Sequence, residues 1–251
     1  MFSPRAPLNN LANEFNVFLG FSWRDWSTTL IPGSIFAIGA MRSSHVRPHS
    51  IVYSYIYLLL WLTSFVYFFN LSNQITGFKE DCINKPDRPI PSGKVTLAGA
   101  QVRWALAFIS FLGLAYAQPS LLYETLCWIA TAAFLCLSEA GNHWFGKNCV
   151  AMTTGTLALL SGSWKAVTAA TPQSERYTAT IAIWVGLLMQ IQDLRDIEGD
   201  AAVGRKTFPL VFGDERGRWI ITLLLLPLAV LVLWLGGIVQ IAPVTVNAYA
   251  N

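Results

Sequence analysis

Residues 189–210 read MQIQDLRDIEGDAAVGRKTFPL and begin where the apolar run 177–192 ends. The carboxylates Asp193, Asp196 and Asp200 in this stretch are spaced i, i+3 and i+7. On an α-helix, where each residue turns by about 100°, these three side chains fall within about 60° of one another. We therefore predict a stripe of three carboxylates at the end of a long apolar helix.

This carboxylate stripe has a chemical consequence. Three carboxylates on one helix face repel each other unless a cation lies among them. Hard oxygen ligands at this density suit Mg²⁺, which keeps several waters and is usually completed by substrate phosphates. The stretch predicts a Mg²⁺ site for a phosphorylated substrate, and a solvated acidic face is the simpler alternative.

A second group of acids follows another long apolar run, in residues 70–96, which read NLSNQITGFKEDCINKPDRPIPSGKVT. If the helix continues beyond the apolar run, Asn73 and Gly77 lie on ridges that adjoin Glu80 or Asp81. Gly77 would leave room for a ligand to approach the backbone. Two acidic groups after two apolar runs favour one shared site over two unrelated solvated surfaces.

Basic residues accompany both acidic groups. Lys85 and Arg88 stand in the proline-rich loop after the first group, and the Arg88 guanidinium is suited to bidentate contact with a phosphate. Lys94, Arg205 and Lys206 add positive charge nearby in sequence. We expect these side chains to bind the phosphates of the substrate.

The amino-acid composition distinguishes between a water-soluble and a membrane protein. Of its 251 residues 54% are hydrophobic and 12% are charged, and the mean hydropathy is +0.46. A soluble domain carries about 25% charged residues, so the composition predicts an integral membrane protein in a lipid bilayer, and the long apolar runs described next make it an all-α one. The net charge of +3 is far from the basic stripe of a nucleic-acid-binding protein, and we expect no nucleic-acid partner.

Seven apolar runs are candidates for membrane passes, since a spanning helix needs about 20 mostly apolar residues. An amphipathic segment at 11–21 precedes them. We predict an interfacial N-terminal segment, residues 1–22, and a transmembrane helical domain, residues 23–251. The seven runs are 28–41, 51–71, 104–117, 121–137, 149–164, 177–192 and 219–240.

The basic residues are distributed unequally between the two sides of these passes. Thirteen lie on the side of the acidic groups and four on the other side. The positive-inside rule then places the acidic groups at the cytoplasmic face, of the endoplasmic reticulum in a eukaryote. Substrate phosphates are another explanation of the same bias. The four on the opposite side are Arg42, Arg47, Lys165 and Arg176.

At these residues the sequence resembles the UbiA superfamily of intramembrane prenyltransferases. That family has an N-D-x-x-D-x-x-x-D motif after its second helix and D-x-x-D-x-x-x-D after its sixth. Residues 73–81 read NQITGFKED, and residues 193–200 read DLRDIEGD, which is a full match. The family's N-K-x-x-R-P-I-P-S-G loop is present at 84–93, and its G-x-x-T-x-P-x-x-x-G sequence at 204–213.

The resemblance implies a UbiA-type helix bundle around a central cavity, an isoprenyl diphosphate substrate and bound Mg²⁺. The catalytic acids would be Asp81, Asp193 and Asp196. The metal ligands would be Asn73, Glu80, Asp81, Asp193, Asp196 and Asp200. The diphosphate-binding residues would be Lys85, Arg88, Lys147, Arg205 and Lys206.

The sequence departs from the family pattern in its first motif and in its number of passes. Gln74 and Gly77 replace two acids, and Glu80 is the candidate replacement carboxylate. The family usually has about eight or nine membrane helices, whereas seven are predicted here. The resemblance is therefore more specific for the superfamily than for the reaction.

Three functions remain open at this point. The altered first motif resembles that of UbiA-like terpene cyclases from fungi, which favours a class I cyclase acting on farnesyl diphosphate. The passes also offer few residues to position a second substrate. An intermolecular prenyltransferase with an aromatic or other acceptor is the alternative, and a non-catalytic transporter or scaffold is the third. The oligomeric state is left open.

Overall fold

The computed structural model describes residues 5–44 and 48–240. Within these ranges the chain is helical and contains no strand, apart from one isolated bridge between His143 and Lys206. Two parts of the predicted segments lie outside the described ranges, namely residues 1–4 of the N-terminal segment and residues 241–251 of the helical domain. Arg47, which is predicted on the side of the membrane opposite the acidic groups, also lies outside them.

The helices follow the predicted apolar runs and add short segments after them. Two π-helical stretches, Phe145–Met152 and Ile221–Leu225, lead directly into the α-helices that begin at Thr153 and Leu226. The α-helices are α1 (Arg5–Ser22), α2 (Leu30–Ser43), α3 (Pro48–Thr76), α4 (Phe78–Asn84), α5 (Leu97–Ala117), α6 (Leu122–Leu137), α7 (Thr153–Lys165), α8 (Pro172–Leu188), α9 (Gln190–Asp193), α10 (Ile197–Ala202), α11 (Phe208–Phe212), α12 (Asp214–Ile220) and α13 (Leu226–Leu235).

Among residues 5–44 and 48–240, four helical segments are long and apolar enough to cross a membrane, and α2 is a shorter apolar helix. The prediction of an all-α integral membrane protein is confirmed, while the number of seven passes stays a prediction. The four segments are Ser50–Thr76, Leu97–Ala117, Pro119–Leu137 and Asp214–Leu235.

Helices α3, α5, α6 and α7 pack around an aromatic centre. The Phe65 and Trp128 rings stack with their centroids 4.2 Å apart, and Trp128 Nε1 donates to the Phe65 carbonyl at 3.0 Å. Gly155 makes this packing possible, since a Cβ there would lie 2.4 Å from the Trp128 ring. Small residues allow such close helix contact in lipid. Side chains fill the space between these four helices. The central cavity stays a prediction.

Helix α1 packs across α3 and α5. Asn70 Nδ2 donates to the Phe21 carbonyl at 2.7 Å, and Arg103 forms an ion pair with Glu14. These contacts fix α1 on the outside of the bundle. The helical structure of this segment matches the prediction, and its interfacial position and the division into two segments stay predictions.

Candidate active site

The first acidic group lies beyond a break in the long helix. Helix α3 ends at Thr76 and α4 begins at Phe78, so the condition of a helix that continues through Gly77 is not met. Gly77 joins the two, and a Cβ there would lie 2.8 Å from the Asn73 carbonyl oxygen. Asn73 is half-buried in the last turn of α3. The break leaves Glu80 and Asp81, the latter only 2% exposed, buried in α4.

The second acidic group is also not one helix. Helix α9 ends at Asp193 and α10 begins at Ile197, so the three carboxylates do not share one helical stripe as predicted. The break turns α10 so that it packs against α4. A Cβ at Gly199 would lie 2.2 Å from the Asn84 side chain, which shows how closely the two helices approach.

The two acidic groups lie side by side at one end of the bundle. Lys85 Nζ of the first stretch is 3.6 Å from Asp196 Oδ2 of the second. Arg205 of the second stretch reaches the first, since its Nη1 lies 2.7 Å from Glu80 Oε2. The same nitrogen is 3.3 Å from Asp200 Oδ1 of its own stretch. The residues that the sequence predicts as one site are therefore brought together by ion pairs between the stretches.

Two more acids are paired with predicted diphosphate-binding residues. Arg88 Nη1 lies 2.7 and 2.8 Å from the two oxygens of Asp81, and both side chains are buried. Lys147 Nζ lies 2.7 Å from Asp193 Oδ1. Lys206 is exposed, and its backbone joins the segment around His143. Four of the five basic candidates thus neutralise candidate metal ligands.

The surroundings change the pKa values of two of these acids in opposite directions. Burial raises the pKa of Glu80, and the nearby Arg205 guanidinium only partly offsets this. Burial also acts to raise the pKa of Asp196, but the hydrogen bond from Arg195 and the charge of Lys85 outweigh it, so this pKa is lowered. Basic neighbours therefore keep Asp196 charged.

Two amide side chains of the site were not predicted from the sequence. Asn148 Nδ2 donates to Asp193 Oδ2 and to Gln190 Oε1, both at 2.7 Å. All three residues are fully or almost fully buried. The available signal was the position of each amide, since Asn148 directly precedes one apolar run and Gln190 lies within another. A polar side chain buried there needs a hydrogen-bond partner.

The carboxylate and amide oxygens of the site are of the kind that Mg²⁺ prefers as ligands. Within residues 5–44 and 48–240, no three His, Cys, Asp or Glu side chains are grouped closely enough to hold a metal ion. Instead, lysines and arginines neutralise the acids. Asp200 Oδ2 is nevertheless buried without a hydrogen-bond partner among the described residues. Carboxylate oxygens with such free capacity are the ligands that Mg²⁺ takes together with substrate phosphates.

Comparison with known proteins identifies the fold and the family. The UbiA prenyltransferase family matches residues 30–250. The chain belongs to the UbiA prenyltransferase family. A solved UbiA homolog from Archaeoglobus fulgidus, bound to GPP and Mg²⁺, has the same fold, with a TM-score of 0.72, 15% identity and coverage of 88% of this chain and 77% of that one.

Two relatives of this UbiA-family chain come from Hericium erinaceus. The diterpene cyclase eriG is 65% identical, over 95% of this chain and 77% of the relative. The polyprenyl transferase eriF is 58% identical, over 95% of this chain and 83% of the relative. UbiA-family proteins use prenyl diphosphates, so this chain is a prenyl diphosphate-dependent enzyme and not a transporter or scaffold.

Proposed function

We propose that this protein is a membrane-embedded, Mg²⁺-dependent class I terpene cyclase that ionises an allylic prenyl diphosphate. The observation that carries the proposal is the contact between two acidic stretches and their basic partners at one end of an apolar bundle. The similarity to a diterpene cyclase over nearly the whole chain supports cyclisation as the fate of the cation.

The acidic residues would hold Mg²⁺, which when bound neutralises charge on the leaving diphosphate. The proposed metal ligands are the amide of Asn73 and the carboxylates of Glu80, Asp81, Asp193, Asp196 and Asp200.

The basic side chains would change partners when the substrate binds. Lys85, Arg88, Lys147 and Arg205 now lie on carboxylates. With Mg²⁺ bound, the carboxylates would no longer need these basic partners, and the lysines and arginines would become available to the diphosphate oxygens. Their long side chains can reach from one partner to the other, and exposed Lys206 can join them. This exchange of partners would stabilise the negative charge that develops on the leaving group.

Ionisation breaks the bond between the allylic carbon and the diphosphate oxygen, and the electron pair leaves with the diphosphate. In a cyclase, a double bond of the same chain attacks the cation, and loss of a proton gives the hydrocarbon. The apolar helices exclude water, which would otherwise capture the cation, and aromatic faces attract positive charge.

The chain length of the substrate and the side of the membrane belong to the same proposal. The sequence favoured farnesyl diphosphate, whereas the name of the diterpene cyclase favours geranylgeranyl diphosphate, which is one isoprene unit longer. The excess of basic residues supports an active site at the cytoplasmic face, of the endoplasmic reticulum in a eukaryote.

A prenyltransferase is the second candidate, because the polyprenyl transferase from Hericium erinaceus is nearly as similar to this chain as the cyclase. The ionisation step is common to both functions. They differ only in whether the cation is captured by its own chain or by an acceptor molecule.

The test is incubation of the purified protein in detergent with Mg²⁺ and either farnesyl or geranylgeranyl diphosphate, without an acceptor. We expect release of inorganic diphosphate together with a cyclic hydrocarbon detected by gas chromatography. Product formation only after addition of an aromatic acceptor would identify the transferase. No diphosphate release from any prenyl substrate would contradict both functions.

A further inference from the structure

Two consecutive residues hold the carboxylate of Asp193. Lys147 Nζ contacts Oδ1 at 2.7 Å, and Asn148 Nδ2 donates to Oδ2 at 2.7 Å. The same Nδ2 also donates to Gln190 Oε1 at 2.7 Å. Asn148 and Gln190 are fully buried, so water does not compete for these hydrogen bonds.

The backbone places these two side chains on one carboxylate through the π-helical stretch Phe145–Met152. A π-turn is closed by i→i+5 hydrogen bonds and holds more residues than an α-turn, so consecutive side chains diverge by less than 100°. Two glycines make room for the wide turn. A Cβ at Gly146 would lie 2.0 Å from the Ala140 carbonyl oxygen, and one at Gly186 would lie 2.0 Å from Thr153 Oγ1.

The two partners of Asp193 differ in charge, and this gives them different roles. Lys147 is a cation and competes with a metal ion for Oδ1. Asn148 is neutral, and its two N–H groups are directed at Asp193 and Gln190, so its contact with Oδ2 is compatible with a bound cation. Asn148 Oδ1 is buried and has no hydrogen-bond partner among the described residues.

Building on the proposed function, we propose that Asn148 and Gln190 are positioning residues for the metal site. They fix Asp193 through Oδ2 and so present Oδ1 to Mg²⁺ when Lys147 turns to the diphosphate. Hydrogen-bond partners behind a metal-ligating carboxylate typically change metal affinity by about 10- to 100-fold.

The test is the Mg²⁺ requirement of Asn148→Ala in the full chain purified in detergent. We measure the Mg²⁺ concentration that gives half-maximal thermal stabilisation in the presence of inorganic pyrophosphate, and the concentration that gives half-maximal diphosphate release. Both are expected to rise about tenfold or more. The KM for prenyl diphosphate at saturating Mg²⁺ should stay near the wild-type value, because the amide contacts Asp193 and not the substrate. Gln190→Met should act in the same direction with a smaller effect.

Asn70→Ala is the matched control, because Asn70 is also a buried amide that donates at 2.7 Å, but to the Phe21 carbonyl. This variant should lower the melting temperature and leave the Mg²⁺ requirement unchanged. A wild-type Mg²⁺ requirement in folded Asn148→Ala would overturn the inference, and if that variant does not fold, the same result in Gln190→Met would overturn it. A wild-type protein without Mg²⁺-dependent stabilisation or diphosphate release would instead refute the proposed function, and the inference with it.

Discussion

The ion pair between Arg88 and Asp81 shows how this protein combines stability and function in single residues. Both side chains are at least nine-tenths buried, and one guanidinium nitrogen contacts both carboxylate oxygens. A buried charge without a partner is costly, so each residue depends on the other in the ligand-free protein. The same arginine is proposed to bind the diphosphate.

Arg88→Met should destabilise the protein by about 3–5 kcal/mol, because it leaves the buried Asp81 carboxylate without its partner. The double variant Asp81→Asn, Arg88→Met should recover most of the lost stability, since no buried charge remains. Thermal unfolding in detergent measures both effects. Equal stability of Arg88→Met and wild type would show that the pair is not buried as described.

Most charged residues of the candidate site could be singled out from the sequence because they stand in recognisable motifs with fixed spacing, and their roles stay predictions. The sequence placed basic residues near both acidic groups, but it assigned them to the substrate phosphates and did not predict their ion pairs with the acids. Asn148 and Gln190 could not be found in this way. Each is a single amide, and only the fold brings them to the same carboxylate.

The breaks between short helices decide how the acidic stretches face each other. Gly77 separates α3 from α4, and residues 194–196 separate α9 from α10. The sequence predicted the long apolar helices correctly because the length and apolar composition of a run are local properties. It did not predict the breaks, because they depend on contacts between distant segments, such as that of Gly199 with Asn84.

Gly77→Ala should lower diphosphate release by about tenfold or more, because a Cβ would collide with the Asn73 carbonyl oxygen and shift α4 with its acids. Gly113→Ala in α5 is the control, since a Cβ at Gly113 meets nothing within 4 Å. It should be neutral or slightly stabilising, because alanine favours the helix over glycine. Equal activity of Gly77→Ala and the control would mean that the break does not position the acids.

At the scale of the whole molecule, acidic and basic side chains lie interleaved at one end of an apolar helix bundle. In the ligand-free state each basic partner neutralises an acid, so a metal ion or a diphosphate binding alone would leave one set of charges unpaired. This arrangement predicts that the two ligands bind together much better than separately. The coupling follows from four ion pairs that link candidate metal ligands to candidate phosphate-binding residues.

Mg²⁺ and inorganic pyrophosphate should therefore raise the melting temperature together by more than the sum of their separate effects. A ligand that binds the folded state stabilises it according to its affinity, so the shift reports the coupling directly. EDTA should remove the shift. Full stabilisation by Mg²⁺ alone would contradict the exchange of ion-pair partners.

The most direct test of the central claim is the rate of diphosphate release from a prenyl diphosphate by Asp81→Asn and by Asp193→Asn. These isosteric variants remove one charge from each stretch, and we expect each rate to fall by at least about a hundredfold in folded protein. Asp214→Asn is the control, because exposed Asp214 pairs with Arg218 of its own helix α12 and with no basic candidate of the site among the described residues, so its rate should equal that of the wild type. Full activity in either Asp81→Asn or Asp193→Asn would contradict a site shared by the two stretches.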